Sequence, residues 1–164
     1  MIKALRIDER LIHGQVAVTW TKALNLTGLV VASDEAASSD VQKMTLKMAT
    51  PSNIKTIIKP VLGAIHLLQD PRSKDMRLMV LVPTVKDAVT VAKTFPSEIE
   101  KVNVGNAGKM SDSSEEKKTL TNGVMLTPEE IESLKELVDL YPDTFFQETP
   151  NKEQHSAQSI LENL

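Results

Sequence analysis

Residues 77–95 read RLMVLVPTVKDAVTVAKTF, and this stretch indicates the fold class. The apolar run in residues 77–83 is typical of a strand that is buried on both faces of a parallel sheet. The residues that follow, from Thr84 to Phe95, have the spacing of a helix. A buried strand followed at once by a helix is half of a βαβ unit, so the stretch predicts an α/β protein.

The same alternation of strand and helix patterns covers the rest of the chain. Strands are predicted at residues 2–7, 28–32, 54–59, 77–83, 101–105, 123–126 and 144–148. Helices are predicted from residue 14, within 33–50, from residue 60, at 84–95 and 127–141, and in the tail. Single helices between strands imply right-handed crossovers. We therefore predict a three-layer sandwich around a mostly parallel sheet of about seven strands, with Met44 and Met48 in the core and His66 partly buried.

Composition limits the classes of function. The 164 residues suit one domain, residues 1–164, and the formal net charge of −3 argues against nucleic-acid binding. The chain has no cysteine, which excludes disulfides, thiolate catalysis and cysteine-ligated metals. No apolar run has the roughly 20 residues of a membrane span, and the N-terminus does not have the pattern of a secretory signal. We expect a cytoplasmic protein that is not itself membrane-spanning.

Several polar or glycine-containing segments follow predicted strands. His13, Asp34, Thr84 and residues 105–108 each come after one. Because the carboxyl ends of parallel strands meet at one edge of the sheet, these segments should share that edge, where ligands bind in open α/β folds.

His13 is the main candidate for a functional residue, because several groups that suit an anion lie near it in the sequence. Gly14 allows close approach to the backbone at a helix start, where free N–H groups attract anions. Arg6 and Arg10 offer planar guanidinium groups that match phosphoryl oxygens. A neutral histidine in this setting is a competent nucleophile. The alternative is a histidine that only hydrogen-bonds within its loop.

Other sites are disfavoured by spacing. VNVGNAGKMS at residues 102–111 does not fit a phosphate-binding P-loop, because Asn103 stands where the first glycine is required and Met110, not Ser or Thr, follows Lys109. The three histidines are dispersed, so no metal site is predicted. Asp34 has two interpretations: either Ser33 or Asp34 caps a helix, or Asp34 helps to set the geometry of the His13 loop.

The run RIDERLIHGQV at residues 6–16 resembles the IIB components of the mannose/sorbose family of the sugar phosphotransferase system. Trp20, VVASDEAA at 30–37, QKMTLKMATP at 42–51, VNVG at 102–105 and QETPN at 147–151 follow in the family's order. One departure is Asn106, which stands where a second glycine is expected after Gly105. The resemblance implies a mostly parallel α/β sheet whose last strand is antiparallel.

The resemblance also implies a function. His13 would accept a phosphoryl group from a phosphorylated IIA component and pass it to a sugar that enters through the membrane components IIC and IID. The chain would then be a phosphotransferase, peripheral to the permease, that requires no metal, nucleotide or other cofactor. The alternative from another class is a non-catalytic anion-binding or regulatory module on the same fold.

Roles follow for the residues around His13, which would be the nucleophile and the phosphoryl carrier. Gly14 and Gln15 would supply backbone N–H groups to the phosphoryl oxygens, and Arg10 and Arg6 would neutralise them. Asp8 would orient Arg10 or the imidazole. The further supporting residues on the same edge are Asp34 and Thr84. We also predict that the phosphoryl group is attached to Nδ1, the ring nitrogen nearer the backbone.

Overall fold

The computed structural model describes residues 1–110 and 116–164, and seven strands of these ranges form one sheet. In chain order they are β1 (Ile2–Asp8), β2 (Gly28–Ala32), β3 (Lys55–Lys59), β4 (Leu78–Val82), β5 (Val102–Asn106), β8 (Phe145–Phe146) and β9 (His155–Ser156). A separate hairpin consists of β6 (Lys118–Thr121) and β7 (Val124–Leu126). The helices are α1 (Gly14–Ala23), α2 (Asp34–Ala37), α3 (Asp40–Met48), α4 (Val61–Gln69), α5 (Val85–Thr94), α6 (Pro128–Leu140) and α7 (Ala157–Glu162).

The strand order is β3-β2-β4-β1-β5-β8-β9. Every neighbouring pair is parallel except the last, in which β9 runs antiparallel to β8. The predicted α/β class, strand number and antiparallel last strand are thus confirmed. The membership of the sheet differs from the prediction. Residues 124–126 pair with β6 in the hairpin, and the strand within 144–148 is parallel, so the antiparallel edge is residues 155–156.

The sheet is buried on both faces, as its continuous apolar strands require. Successive residues of β4 alternate between two core clusters: Met79 belongs to the cluster that contains Trp20 of α1, and Val80 to the cluster that contains Leu134 of α6. Helices α1, α2 and α3 cover one face, and α4, α5, α6 and α7 cover the other. This arrangement is the predicted three-layer sandwich.

The predicted burial of three residues is wrong. Met44 and Met48 are 65% and 80% exposed because α3 contacts the core through Leu46, on its other side. His66 is also exposed, because the buried face of α4 consists of Val61, Ala64, Ile65 and Leu68. The predicted helix within residues 33–50 is divided into α2 and α3 because the Ser39 hydroxyl accepts a hydrogen bond from Gln42 N and starts a second helix.

At the end of β1, the connections that follow two neighbouring strands lie on opposite faces of the sheet. β1 leads into α1 on one face, while its neighbour β4 leads into α5 on the other. Such a switch point opens a crevice at the carboxyl edge of a parallel sheet. Residues 8–13 follow β1 at this point of the sheet. Within the described ranges no helix is both long and apolar enough to cross a bilayer.

Candidate active site

Residues 8–13 form a tight, well-anchored loop between β1 and α1. Asp8 Oδ1 accepts a hydrogen bond from Arg10 N at 3.0 Å, and Asp8 O accepts one from Leu11 N at 2.9 Å. These two bonds form a turn in which Leu11 has φ +60°, a conformation that is uncommon for residues other than glycine. The side chains of Leu11 and Ile12 are buried in the core, so the next residue, His13, is held at a fixed position.

His13 and Asp8 form a hydrogen-bonded pair. His13 Nε2 lies 2.9 Å from Asp8 Oδ2; the carboxylate is fully buried and the imidazole is 12% exposed. An ionised carboxylate can only accept hydrogen bonds, so the ring proton is on Nε2. His13 Nδ1 is then the nitrogen with a free lone pair, and no described residue hydrogen-bonds to it. This tautomer is the one that can react as a nucleophile at Nδ1.

The buried Asp8 remains ionised because of its neighbours. Burial by itself would raise the pKa of the Asp8 carboxyl. The hydrogen bond from His13 and the charge of Arg6 outweigh that effect, and the pKa lies below its usual value. A full negative charge is therefore available to stabilise positive charge on the imidazole.

Arg6 is part of the buried support of Asp8. Its side chain is 1% exposed, and Nη2 donates to Asp8 Oδ2 at 3.0 Å. Nη1 donates to Asn103 Oδ1 and to Gln147 O, and the guanidinium carbon lies 5.5 Å from the centre of the Trp20 ring. Burial lowers the pKa of Arg6, and the Asp8 charge partly offsets this effect. The burial does not fit the prediction that Arg6 contacts a phosphoryl group; its contacts are those of a residue that holds Asp8 in place.

Gly105 makes room for Arg6. A Cβ atom at this position would lie 2.2 Å from Arg6 Nη2 and 2.4 Å from the guanidinium carbon, far inside contact distance. The glycine of VNVG is therefore required by the close approach of the guanidinium group.

The start of α1 lies directly after His13. Gly14 and Gln15 are exposed, and Gly14 has φ +45° with open space around its Cα. His13 is the N-cap residue, and neither Asp nor Glu occurs in the first turn. The N–H groups of the first turn have no carbonyl partner within a helix. Together with the helix dipole they favour an anion next to His13.

Arg10 lies on the exposed surface of the loop. Its guanidinium group makes no hydrogen bond or ion pair with any residue in the described part of the chain. Next to it, the Glu9 carboxylate accepts hydrogen bonds from the backbone N–H groups of Lys109 and Met110, so the segment after β5 is attached to the His13 loop. Arg10 is thus the cation of the loop that is free to meet a ligand.

Asp34 and Thr84 have structural contacts on the same edge. Ser33 is the helix cap, and Asp34 Oδ1 instead accepts a hydrogen bond from Val61 N at the start of α4. The Thr84 hydroxyl accepts a hydrogen bond from Asp87 N at the start of α5. The hypothesis that Asp34 sets the geometry of the His13 loop is not supported by these contacts, because both side chains cap other helices.

Two polar residues of the site, Asn103 and Gln147, were not singled out as site residues by the sequence analysis, and Asn106 was named there as a departure from an expected glycine. Asn103 and Gln147 bind the guanidinium group of Arg6, and Asn106 Nδ2 lies 3.4 Å from Asp8 Oδ2. The sequence signal for Asn103 was a polar residue inside a predicted apolar strand. The structure shows that it is buried and that the register of its strand places it beside Arg6. Gln147 contributes its backbone carbonyl, which carries no sequence signal.

Comparison with known proteins places the chain among phosphotransferase components. Residues 2–163 match the family described as PTS system sorbose subfamily IIB component. A probable phosphotransferase enzyme IIB component of Streptococcus pyogenes serotype M6 is 47% identical over 163 residues, which cover 98% of this chain and 99% of that protein. The mannose-specific EIIAB component of Escherichia coli K12 is 32% identical over 137 residues, or 84% of this chain and 41% of that longer protein.

A solved structure confirms the fold. The crystal structure of the IIBSor domain of the sorbose permease from Klebsiella pneumoniae superimposes with a TM-score of 0.89. The match covers 99% of this chain and 97% of that domain, at 24% sequence identity. The strand order and the position of the His13 loop therefore belong to a fold already observed by crystallography.

Proposed function

This chain belongs to the sorbose subfamily of the IIB components of the phosphotransferase system, and from this membership we propose that His13 is its phosphoryl carrier. Membership makes the protein a phosphotransferase component in sugar uptake. The proposal adds that His13 receives the group from a phosphorylated IIA component and passes it to a sugar that enters through membrane components IIC and IID. The observation that carries the proposal is the hydrogen bond between His13 Nε2 and Asp8, which leaves Nδ1 free.

In the first step, His13 accepts the phosphoryl group from IIA. The Nδ1 lone pair attacks the phosphorus of the phosphohistidine on IIA, and a P–N bond forms as the donor P–N bond breaks. The donor nitrogen keeps the electron pair of the broken bond. Positive charge develops on the His13 ring, and the Asp8 carboxylate stabilises it through the Nε2 proton.

The group transferred is an anion, and the loop favours it from two sides. The N–H groups of Gly14 and Gln15 and the α1 dipole face it from the helix, an effect of about 0.3–1 kcal/mol for the dipole when exposed. Arg10 can donate two N–H groups to the oxygens of the phosphoryl group. Phosphoryl transfer depends mainly on such positioning and electrostatic stabilisation. In transfer to the sugar, a hydroxyl oxygen forms the new bond to phosphorus as the P–Nδ1 bond breaks; Nδ1 keeps the electron pair and the hydroxyl proton passes to water.

Labelling tests the assignment directly. The protein is incubated with phosphoenolpyruvate, the general phosphotransferase proteins and a matching IIA component. Phosphohistidine is labile in acid and stable in base, so a label with these properties supports the relay. A protein that stays unlabelled while IIA becomes phosphorylated supports the alternative, a non-catalytic anion-binding or regulatory module.

Attachment at Nδ1 is a separate prediction. We expect nitrogen-15 NMR of the phosphorylated protein to show one-bond phosphorus coupling at His13 Nδ1, because Nε2 is bound to Asp8. Coupling at Nε2 would mean that the Asp8 hydrogen bond is broken in the product, and Gly14 and Gln15 would no longer belong to the phosphate site.

The Arg10→Lys variant tests the guanidinium group. Lysine keeps the charge but loses the paired N–H groups, so we expect single-turnover transfer from phosphorylated IIA to slow by about tenfold, as for the loss of one charge-assisted hydrogen bond. Arg10 is exposed, so the thermal unfolding midpoint should not change. Arg72→Lys is the matched control, because Arg72 is an exposed arginine in the turn that precedes β4, at the opposite edge of the sheet. Equal rates for the two variants would exclude Arg10 from the site.

A further inference from the structure

Asn106, the residue that departs from the expected glycine, lies next to the Asp8–His13 pair. Its Nδ2 is 3.4 Å from Asp8 Oδ2, the same oxygen that receives Arg6 Nη2 and His13 Nε2. The Asn106 backbone carbonyl accepts a hydrogen bond from Glu9 N at 3.0 Å. Asn106 therefore contacts the loop of the site through both its side chain and its backbone.

A β-bulge directs the Asn106 side chain to this position. Along β1 and β5, Ile7 pairs with Val104, but the next residue, Asp8, pairs with Asn106. Gly105 is the extra residue, and its missing side chain leaves space for Arg6. In a regular strand Asn106 would point to the same face as Val104, away from Asp8. Bulges beside active sites commonly redirect a side chain in this way.

The hairpin leaves space for Oδ1, the other end of the Asn106 amide. A Cβ atom on Gly123 would lie 2.9 Å from Asn106 Oδ1, so the absence of a side chain in the hairpin turn leaves space for the amide oxygen. Backbone hydrogen bonds join Ala107 to Gly123 and to Met125 on the hairpin. The hairpin thus fixes the position of Asn106, and Asn106 contacts Asp8.

We infer that Asn106 is a positioning residue for phosphoryl transfer, which acts by holding Asp8 Oδ2 toward His13 Nε2. Its amide N–H is the donor from β5 among the three that meet Oδ2; Arg6 lies on β1 and His13 in the loop that follows it. With the amide in place, the carboxylate is restrained by groups on β1 and on β5, and the Nε2–H tautomer of His13 is favoured. Without it, the carboxylate is held from β1 and its own loop alone, and part of the His13 population should shift to the Nδ1–H tautomer, which cannot attack. The inference rests on the proposed role of His13.

Two variants of Asn106 and one control test this inference. Asn106→Ala removes the donor, and Asn106→Asp replaces the N–H donor by a carboxylate of the same shape, 3.4 Å from a negative charge. Asn122→Ala is the control. Asn122 is exposed in the hairpin turn beside Gly123, and its side chain makes no hydrogen bond within residues 1–110 and 116–164. Thermal unfolding of each variant shows whether it is folded at the temperature of the assays.

The first readout is the His13 tautomer in the unphosphorylated protein, from nitrogen-15 chemical shifts of the ring. We expect the Nε2–H fraction to fall in the order wild type, Asn106→Ala, Asn106→Asp, with Asn122→Ala equal to wild type. Because this measurement needs no phosphoryl donor, it tests Asn106 even if His13 is never phosphorylated.

The second readout is the single-turnover rate of transfer from phosphorylated IIA. Asn106→Ala should be about fivefold slower than wild type, as for the loss of a weak hydrogen bond to a charged group, and Asn106→Asp slower still. An Asn106→Ala variant that matches Asn122→Ala in both tautomer and rate would overturn the inference. Absence of label on the wild-type protein would instead overturn the proposed function.

Discussion

Replacing His13 by alanine is expected to abolish phosphoryl uptake from phosphorylated IIA. The residual labelling should be indistinguishable from that of a reaction without this protein, because the proposed mechanism forms the new bond at Nδ1. His13→Gln should be equally inactive, although its side-chain amide can still donate a hydrogen bond to Asp8. Labelling is measured in a single turnover from IIA that carries a radioactive phosphoryl group, with the reaction stopped in base; acid treatment of a parallel sample should remove the label.

The fold of both His13 variants should be retained. His13 lies in a loop, and the packing of that loop comes from Leu11 and Ile12. Loss of one hydrogen bond to Asp8 should cost about 1–2 kcal/mol of unfolding free energy in His13→Ala, and less in His13→Gln. The controls are His66→Ala and His155→Ala, which remove the other two, exposed histidines and should label like wild type. Label that remains in His13→Ala and disappears in His66→Ala would refute the assignment.

Much of this site could be predicted because it depends on local chain features. The apolar run of β4 and the strand–helix alternation indicate a parallel sheet, and parallel strands place their carboxyl ends on one edge. The His-Gly pair at the end of β1 then lies at that edge next to a helix start. Helix α6 was equally predictable, since Thr127 and Glu130 form a capping box and Pro128 is the first helical residue.

The parts that could not be predicted depend on pairing between distant segments. Arg6 was predicted to contact a phosphoryl group, but it is buried, because besides Asp8 it binds Asn103 and Gln147, about 100 or more residues away. The bulge at Gly105 shifts the register of β5 by one residue, and no local pattern shows that shift. Met44 and Met48 have the spacing of a core face, but α3 is at the margin of the sandwich and buries its other side.

The second large effect is expected for Asp8→Asn, which removes the negative charge that pairs with the buried Arg6. Asparagine has the shape of aspartate but not its charge, so the buried guanidinium group of Arg6 would lose its carboxylate partner. Breaking a buried ion pair in this way costs about 3–5 kcal/mol. We expect a loss of unfolding free energy of about 3 kcal/mol, since Asn103 and Gln147 O still bind Arg6.

The same variant should slow phosphoryl transfer by about 10²-fold, the lower part of the range for a positioned acid–base group. The amide of asparagine can donate to His13 Nε2, which places the ring proton on Nδ1 and removes the nucleophilic lone pair. No carboxylate then stabilises the charge that develops on the ring. The rate is measured in a single turnover at a temperature at which denaturant titration shows both proteins folded. A rate within threefold of wild type would show that Asp8 pairs with Arg6 but takes no part in phosphoryl transfer.

The stability effect also has a predicted pH dependence. The folded-state pKa of Asp8 is below its usual value, so its contribution is complete above the unfolded pKa of about 3.9 and is lost as pH falls through the folded pKa. The difference in unfolding free energy between wild type and Asp8→Asn should therefore shrink below about pH 4. Asp87→Asn is the control: burial raises the pKa of Asp87, whose charge is unfavourable at its site, so neutralising it should not destabilise the protein at pH 7. If the Asp8→Asn difference persisted unchanged at low pH, its source would be the amide N–H group that replaces a carboxylate oxygen rather than the loss of charge, and the ion pair with Arg6 could not be what holds Asp8 next to His13.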